Sequence, residues 1–280
     1  MKPAPFAYHA PRTIDAAVGL LAELVPEEGR VLAGGQSLVP AMALRLARPG
    51  HLIDINGIAD LDRLVVEDGA LSIGACVRHA AVGAGAAPGP LGRLLGRVQR
   101  YIAHPPIRAR GTFCGSLAHA DAASEWCMLA VTLDARITVR STRGVRTIAA
   151  VDFFQGYMAT TLEPDEMIVS AAVPLLHAGT RCGFYELARR AGDFAQVMAL
   201  ATFEVRDGTI HGSRIGLGGL ESRPRRITGS EAALDGRPPS DETFQAAARV
   251  AAATLGVTED PDYARALAEV AVLRALADAA

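Results

Sequence analysis

Gly111-Thr112-Phe113-Cys114-Gly115-Ser116-Leu117-Ala118-His119-Ala120-Asp121-Ala122-Ala123-Ser124-Glu125 lies between two apolar segments, Leu91 to Ile107 and Trp126 to Leu133. It gathers small residues, hydroxyls and two acids where a simple connection would need none of that specificity. Gly111, Gly115 and Ser116 are expected to leave backbone N–H groups uncovered by side chains, and such groups ahead of a helix can cradle a phosphate. A second glycine loop, Ala33-Gly34-Gly35-Gln36-Ser37, follows the short apolar strand Arg30 to Leu32. Two loops of this kind can hold one pyrophosphate between them.

The chain has 280 residues, half of them hydrophobic, enough for two substantial cores and therefore for two domains. A net charge of -2 gives no reason to expect nucleic acid or an anionic membrane as partner. No apolar run reaches the roughly 18 residues of a membrane span, so no membrane insertion is expected. The start, Met1-Lys2-Pro3-Ala4-Pro5, is too poor in apolar residues for a secretory signal, and the chain reads as cytoplasmic. The four cysteines, Cys76, Cys114, Cys127 and Cys182, are scattered and form no Cys-x-x-Cys pair. Neither a zinc site nor an iron–sulfur cluster is written locally, no metal ligands are assigned, and the cysteines read as buried thiols.

Outward from the central stretch, the pattern predicts a helix capped by Thr13, with Ile14, Ala17, Val18, Leu21 and Leu24 at helical spacing and Gly29 closing the segment. Strand Arg30 to Ala33, a helix over Pro40 to Leu46 and strand His51 to Ile55 then form a β-α-β unit ending near Asn56. Leu64 to Val66 and Leu71 to Ile73 flank Asp68-Gly69, a hairpin signal. Leu91 to Ile102 reads as a helix broken at His104-Pro105-Pro106. Ile137 to Arg140 and Val145 to Ile148 bracket a turn at Arg143-Gly144, and Glu166 to Val173 is a strand. The chain leaves its first domain around Leu175 to Thr180. Beyond it, Arg181 to Ala188, Val197 to Arg206 and Thr209 to Leu217 predict three antiparallel strands. Helices over Glu242 to Leu255 and Tyr263 to Ala277 follow, the first capped by Ser240 and closed by Gly256.

The P-loop pattern, a strand-to-helix G-x-G-x-x-G and G-x-S-x-G are all absent. Three motifs in order carry a resemblance instead: Val31-Leu32-Ala33-Gly34-Gly35-Gln36-Ser37-Leu38, Ile107-Arg108-Ala109-Arg110-Gly111-Thr112, and Gly115-Ser116-Leu117-Ala118-His119-Ala120-Asp121. Together with Phe184-Tyr185-Glu186-Leu187-Ala188-Arg189-Arg190, they resemble the FAD-binding medium subunit of molybdenum hydroxylases, the carbon monoxide and xanthine dehydrogenase group. The resemblance covers the whole chain.

It implies an α+β fold. A two-subdomain FAD-binding domain of the PCMH type would span 1–176, with subdomains of about 1–56 and 57–176. A small antiparallel sheet with a helical C-terminal domain would span 177–280. FAD is the implied cofactor. Leu32, Ala33, Gly34, Gly35, Gln36, Ser37 and Leu38, with Thr112, Phe113, Cys114, Gly115 and Ser116, would be the two diphosphate loops. Glu125 matches an acid that holds ribityl or ribose hydroxyls, with Asp121 contributing nearby. Ile102 and Ile168 match apolar positions flanking the flavin and adenine regions, and Tyr185 matches a position beside the isoalloxazine ring. Cys114 stands where many members have glycine, and Ala122 where many have proline.

The implied role is electron transfer from a 2Fe-2S small subunit to an external electron acceptor, while a molybdopterin large subunit oxidises the substrate, in a heterohexamer. No catalytic residue is assigned to this chain, because the redox chemistry belongs to the flavin. Two other readings stand beside it: a self-contained FAD-dependent oxidase, and a nucleotide-binding assembly factor without redox. Single residues also have plainer readings. Trp126 and Tyr157 fit a core, His119 a hydrogen-bonded loop residue, Asp121 a helix cap, and Arg189 with Arg190 a solvated strand edge.

Overall fold

The computed structural model describes residues 2–83, 85–256 and 260–280. The N-terminal part holds β1 (Ala7–His9), α1 (Ile14–Leu24), β2 (Gly29–Leu32), α2 (Leu38–Ala43) and β3 (His51–Asp54). Its strands form a parallel sheet in the order β1-β3-β2. Thr13 caps α1 as its pattern predicts, its Oγ1 accepting the Ala16 N–H at 3.1 Å, and Ala17, Val18, Leu21 and Leu24 form the buried face. The next helix begins at Leu38, earlier than the apolar pattern suggests. Pro40 therefore sits within its first turns, where a missing N–H removes little. β1 is too short to leave a periodic signature.

The second part contains β4 (Leu64–Glu67), β5 (Ala70–Gly74), α3 (His79–Gly83), α4 (Gly89–Val98), α5 (Pro105–Arg108), α6 (Phe113–His119), α7 (Glu125–Thr132), β6 (Arg136–Ser141), β7 (Gly144–Ala149), α8 (Ala150–Phe153), β8 (Phe154–Gly156), β9 (Ala159–Thr160) and β10 (Met167–Pro174). Five of its strands make an antiparallel sheet in the order β4-β5-β10-β6-β7. Asp68 (φ 50°) and Gly69 (φ 75°) turn the first hairpin with both central residues left-handed. In the β6–β7 hairpin Ser141 pairs with Gly144, so Thr142 and Arg143 occupy the turn instead of the expected Arg143-Gly144. The expected helix stops at Val98, short of Ile102, and beyond that break His104-Pro105-Pro106 also opens α5, because proline's fixed φ suits a first helical turn.

In the C-terminal part β11 (Arg181–Ala188), β12 (Ala195–Arg206), β13 (Thr209–Gly218) and β14 (Arg225–Arg226) form an antiparallel sheet in chain order. It has one strand more than the sequence pattern predicts, the two-residue β14. One face, with Val197, Ala199, Ala201 and Phe203, packs on α9 (Thr228–Leu234), α10 (Asp241–Ala253) and α11 (Pro261–Ala279). The opposite face sends Phe184, Met198 and Leu200 into the core of the preceding domain.

Helix α7 joins the two halves. All eight of its residues are buried, its middle turns being apolar on every side between Glu125 and Thr132. Trp126 is core as expected, whereas Tyr157 is 75 % exposed at the tip of the β8–β9 hairpin, a correction to its core reading. Just after α7, Asp134 accepts from Arg226 at 2.8 and 3.0 Å and pairs with Arg214 at 3.1 Å. Arg226 also reaches Glu231 at 2.8 Å, which pins the C-terminal sheet to the end of the shared helix.

Candidate cofactor-binding site

The first glycine loop leaves β2 and enters α2. Among the described residues, no backbone N–H from 33 to 38 has a protein acceptor. Gln36 Nε2 donates to Gly34 O at 3.1 Å, which helps to fix the loop, and Gly35 is left-handed at φ 72°. Ser37 stands exposed at the start of α2 with its hydroxyl making no cap. α2 spans only six residues, so the donors here are the loop's own amides more than any helix dipole.

The second loop differs from its sequence reading, because Phe113 to His119 is helical. Thr112 is the N-cap of α6, and its Oγ1 accepts the Gly115 N–H at 3.0 Å. Gly111 N donates to Ile107 O at 2.8 Å, Phe113 N to Val77 O at 3.2 Å, and Ser116 N to Thr112 O at 3.1 Å. The amides expected to be open at Gly111, Gly115 and Ser116 are thus engaged. Those of Thr112 and Cys114 remain without a protein acceptor among the described residues. Cys114 is helical and points inward, its Sγ 3.6 Å from Ile73 O, and burial pushes its thiol pKa up. No left-handed backbone is needed there, so a side chain in place of glycine brings no strain. Phe113 is fully buried against Trp126, with ring centroids 5.2 Å apart, and Ile102 and Ile168 are buried in the same core.

The two loops touch. A Cβ on Gly34 would lie 2.4 Å from Arg110 O and 2.7 Å from Gly111 Cα, so only glycine lets them close. A polar relay spans the junction: Asn56 Nδ2 donates to Ala33 O at 2.9 Å, Arg78 Nη2 to Asn56 Oδ1 at 2.6 Å, and Arg78 Nη1 to Arg110 O at 2.5 Å. Beneath it, buried His79 accepts from Trp126 Nε1 at 2.9 Å, and its backbone N–H donates to Gly111 O at 2.9 Å. Burial, then the charges of Arg108 and Arg78, lowers the His79 pKa to about 4, so the ring is neutral and its Nδ1 is free to accept. Nothing local in the sequence marks Asn56, Arg78 or His79, since their importance depends on which loops the fold apposes.

Glu125 opens α7 and is only 9 % exposed. Burial, then repulsion from Glu186, pushes its carboxyl up to about 8. Glu186 itself is raised to about 7 by burial. Asp121 Oδ1 accepts the Ala123 N–H at 2.9 Å in the turn before Ser124, the residue that occupies the α7 N-cap position. Tyr185 is not brought to this group. Its hydroxyl accepts from Arg274 Nη1 at 3.0 Å and the guanidinium lies 4.9 Å from its ring centre, on the face of β11 covered by α11. Strand alternation gives the opposite face to Glu186.

These groups fit FAD: open amides and a free hydroxyl for a diphosphate, and buried acids able to accept from a polyol. The family described as the FAD binding domain in molybdopterin dehydrogenase matches residues 4–176. The CO dehydrogenase flavoprotein C-terminal domain matches residues 183–279. The chain is 35 % identical over 283 residues to the nicotine 6-hydroxylase medium subunit of Paenarthrobacter nicotinovorans, covering 100 % of this chain and 99 % of that one. It superposes with a TM-score of 0.93 and 36 % identity on carbon monoxide dehydrogenase from Hydrogenophaga pseudoflava, covering 100 % of this chain and 98 % of that one. Quinoline 2-oxidoreductase from Pseudomonas putida 86 gives a TM-score of 0.92 at 34 % identity, with 100 % and 98 % covered. Matched over both parts and nearly end to end, the chain belongs to the FAD-binding medium subunits of the molybdenum hydroxylases.

Proposed function

We propose that this chain is the electron-transfer subunit of a molybdopterin-dependent hydroxylase or dehydrogenase. In this reading it takes electrons from a 2Fe-2S small subunit and passes them to an external acceptor, while a molybdopterin large subunit oxidises the substrate. Bound FAD supplies the redox chemistry. The protein's part is to hold and shield it. The amides of 33–38 and the Ser37, Thr112 and Ser116 hydroxyls would bind the diphosphate, Glu125 would accept from ribityl or ribose hydroxyls, and Ile102 and Ile168 would wall the rings. The observation that carries the reading is the run of unpaired amides closed against Arg110 and Gly111.

The reading divides the chain into 1–176, which binds the cofactor, and 177–280, which covers it, and it places three kinds of subunit in a heterohexamer. The four cysteines are free, and among the described residues no three metal-ligating side chains gather. The reading assigns iron and molybdenum to the partners. The visible spectrum and extractable flavin of the purified chain test the proposal. About one FAD per chain, released by acid precipitation, is the expected result. A chain that cannot take up FAD would overturn it.

A further inference from the structure

Glu186 lies outside both glycine loops, yet its surroundings are unusual. It follows Phe184 by two residues on β11 and shares its face, which points into the first domain, where Phe184 meets Tyr101 with ring centroids 5.0 Å apart. Opposite Glu186 in register is Met198, and opposite Met198 is Gly218. Gly219 donates its N–H to Ala122 O at 3.0 Å. This row of the C-terminal sheet therefore runs across to the segment that leads into α7, and Glu125 feels the charge of Glu186. Glu186 Oε2 is fully enclosed without a hydrogen-bond partner among the described residues. Glu125, only 9 % exposed, has among the described residues no hydrogen-bond partner beyond its own backbone N–H. Buried acceptors left open in a native fold call for a partner that brings donors.

We propose that Glu186 is a second cofactor-binding acid, reaching from the C-terminal sheet to accept, with Glu125, hydrogen bonds from polyol hydroxyls of FAD. The inference rests on the FAD reading above and extends it, because the binding site then includes a side chain of each domain. Hydroxyl donors suit the pair better than a further cation would. A cation would have to be stripped of water to enter, whereas a polyol presents several donors from an uncharged chain.

The test uses the full chain stripped of flavin, titrated with FAD by the quenching of flavin fluorescence and melted in the absence of FAD. Glu186→Leu removes both oxygens at similar volume. It is expected to weaken FAD binding roughly ten- to a hundredfold, the range for leaving a buried hydroxyl donor without its acceptor. The same change relieves an unpaired buried acid, so the FAD-free chain should melt at the wild-type temperature or higher. Glu186→Gln, which keeps one acceptor oxygen, should fall between wild type and Leu. A loss below fivefold in the Leu variant overturns the proposal. So does a fall in affinity accompanied by a lower melting temperature or failure to fold, since that marks a structural role only. Wild-type chain that does not take up FAD would overturn the cofactor reading itself, a result visible before any variant is made. FMN, which carries the ribityl hydroxyls alone, and ADP, which carries the ribose alone, identify the source of the donors by the arm in which Glu186→Leu weakens binding.

Discussion

At the scale of single residues, Gly34 is the position where the candidate site tolerates least. Its absent Cβ is what lets the first loop lie on Arg110 and Gly111, and the obstacle is backbone, which cannot rotate away. Gly34→Ala is therefore expected to destabilise the chain by roughly 1–3 kcal/mol, as overpacking does, and to empty it of flavin, measured as FAD per chain after gel filtration. Cys114→Gly should keep its flavin, because that side chain faces the core and not the loop mouth. Equal FAD content in the Gly34→Ala variant and the wild type would show that contact between the loops is not needed for binding. Paired glycines after an apolar strand are more often a plain turn, so Gly34 and Gly35 stand out in the sequence only in combination with the other motifs. The side of β11 that matters was less legible. Tyr185 drew attention as an aromatic within a matching motif, but one residue of strand register decides whether Tyr185 or Glu186 faces the first domain. That register is set by packing against α4 and α11, which a local reading does not contain.

At the scale of elements, the instructive case is α6. The sequence stretch looked like an open loop because its glycine, hydroxyls and alanines match turn chemistry as well as helix capping. What decides for the helix is Thr112. Its side chain takes the Gly115 N–H, its carbonyl takes the Ser116 N–H, and an isolated bridge to Arg78 holds its backbone extended just before the turn begins. Thr112→Ala should cost about 1 kcal/mol of stability by chemical denaturation, the usual loss for an N-cap. Thr112→Ser, which keeps the acceptor oxygen, should restore most of it. If Ala and Ser variants unfold at the same denaturant concentration, the cap is not what holds α6 in place. The hairpins closed by Asp-Gly were the most legible elements, for Asp68-Gly69 and Asp207-Gly208 each supply two left-handed residues between paired strands. Short helices such as α3, α5 and α8 were the least legible, since four or five residues hold barely one period of the apolar pattern.

At the scale of the whole molecule, α7 belongs to the first core and packs on the C-terminal sheet, and the candidate site lies along the same junction. The loops come from the first domain, Glu125 from α7, and Glu186 from the sheet that closes over them. Asp278 near the end of α11 strengthens this join, accepting the Phe184 N–H at 2.9 Å and pairing with Arg97 of α4. Among the described residues this architecture gathers no set of metal ligands. The division of labour proposed for the complex then has a direct kinetic consequence. If substrate is oxidised on another subunit, electrons can reach this chain only through a partner. Stopped-flow absorbance of the flavin-loaded chain with substrate alone should stay constant over the time in which the reconstituted three-subunit complex bleaches. Adding only the 2Fe-2S subunit should leave it constant too, since the site of substrate oxidation would still be missing. Substrate-dependent bleaching of the lone chain would mean that it carries its own active site, and the subunit proposal would give way to a self-contained FAD oxidase.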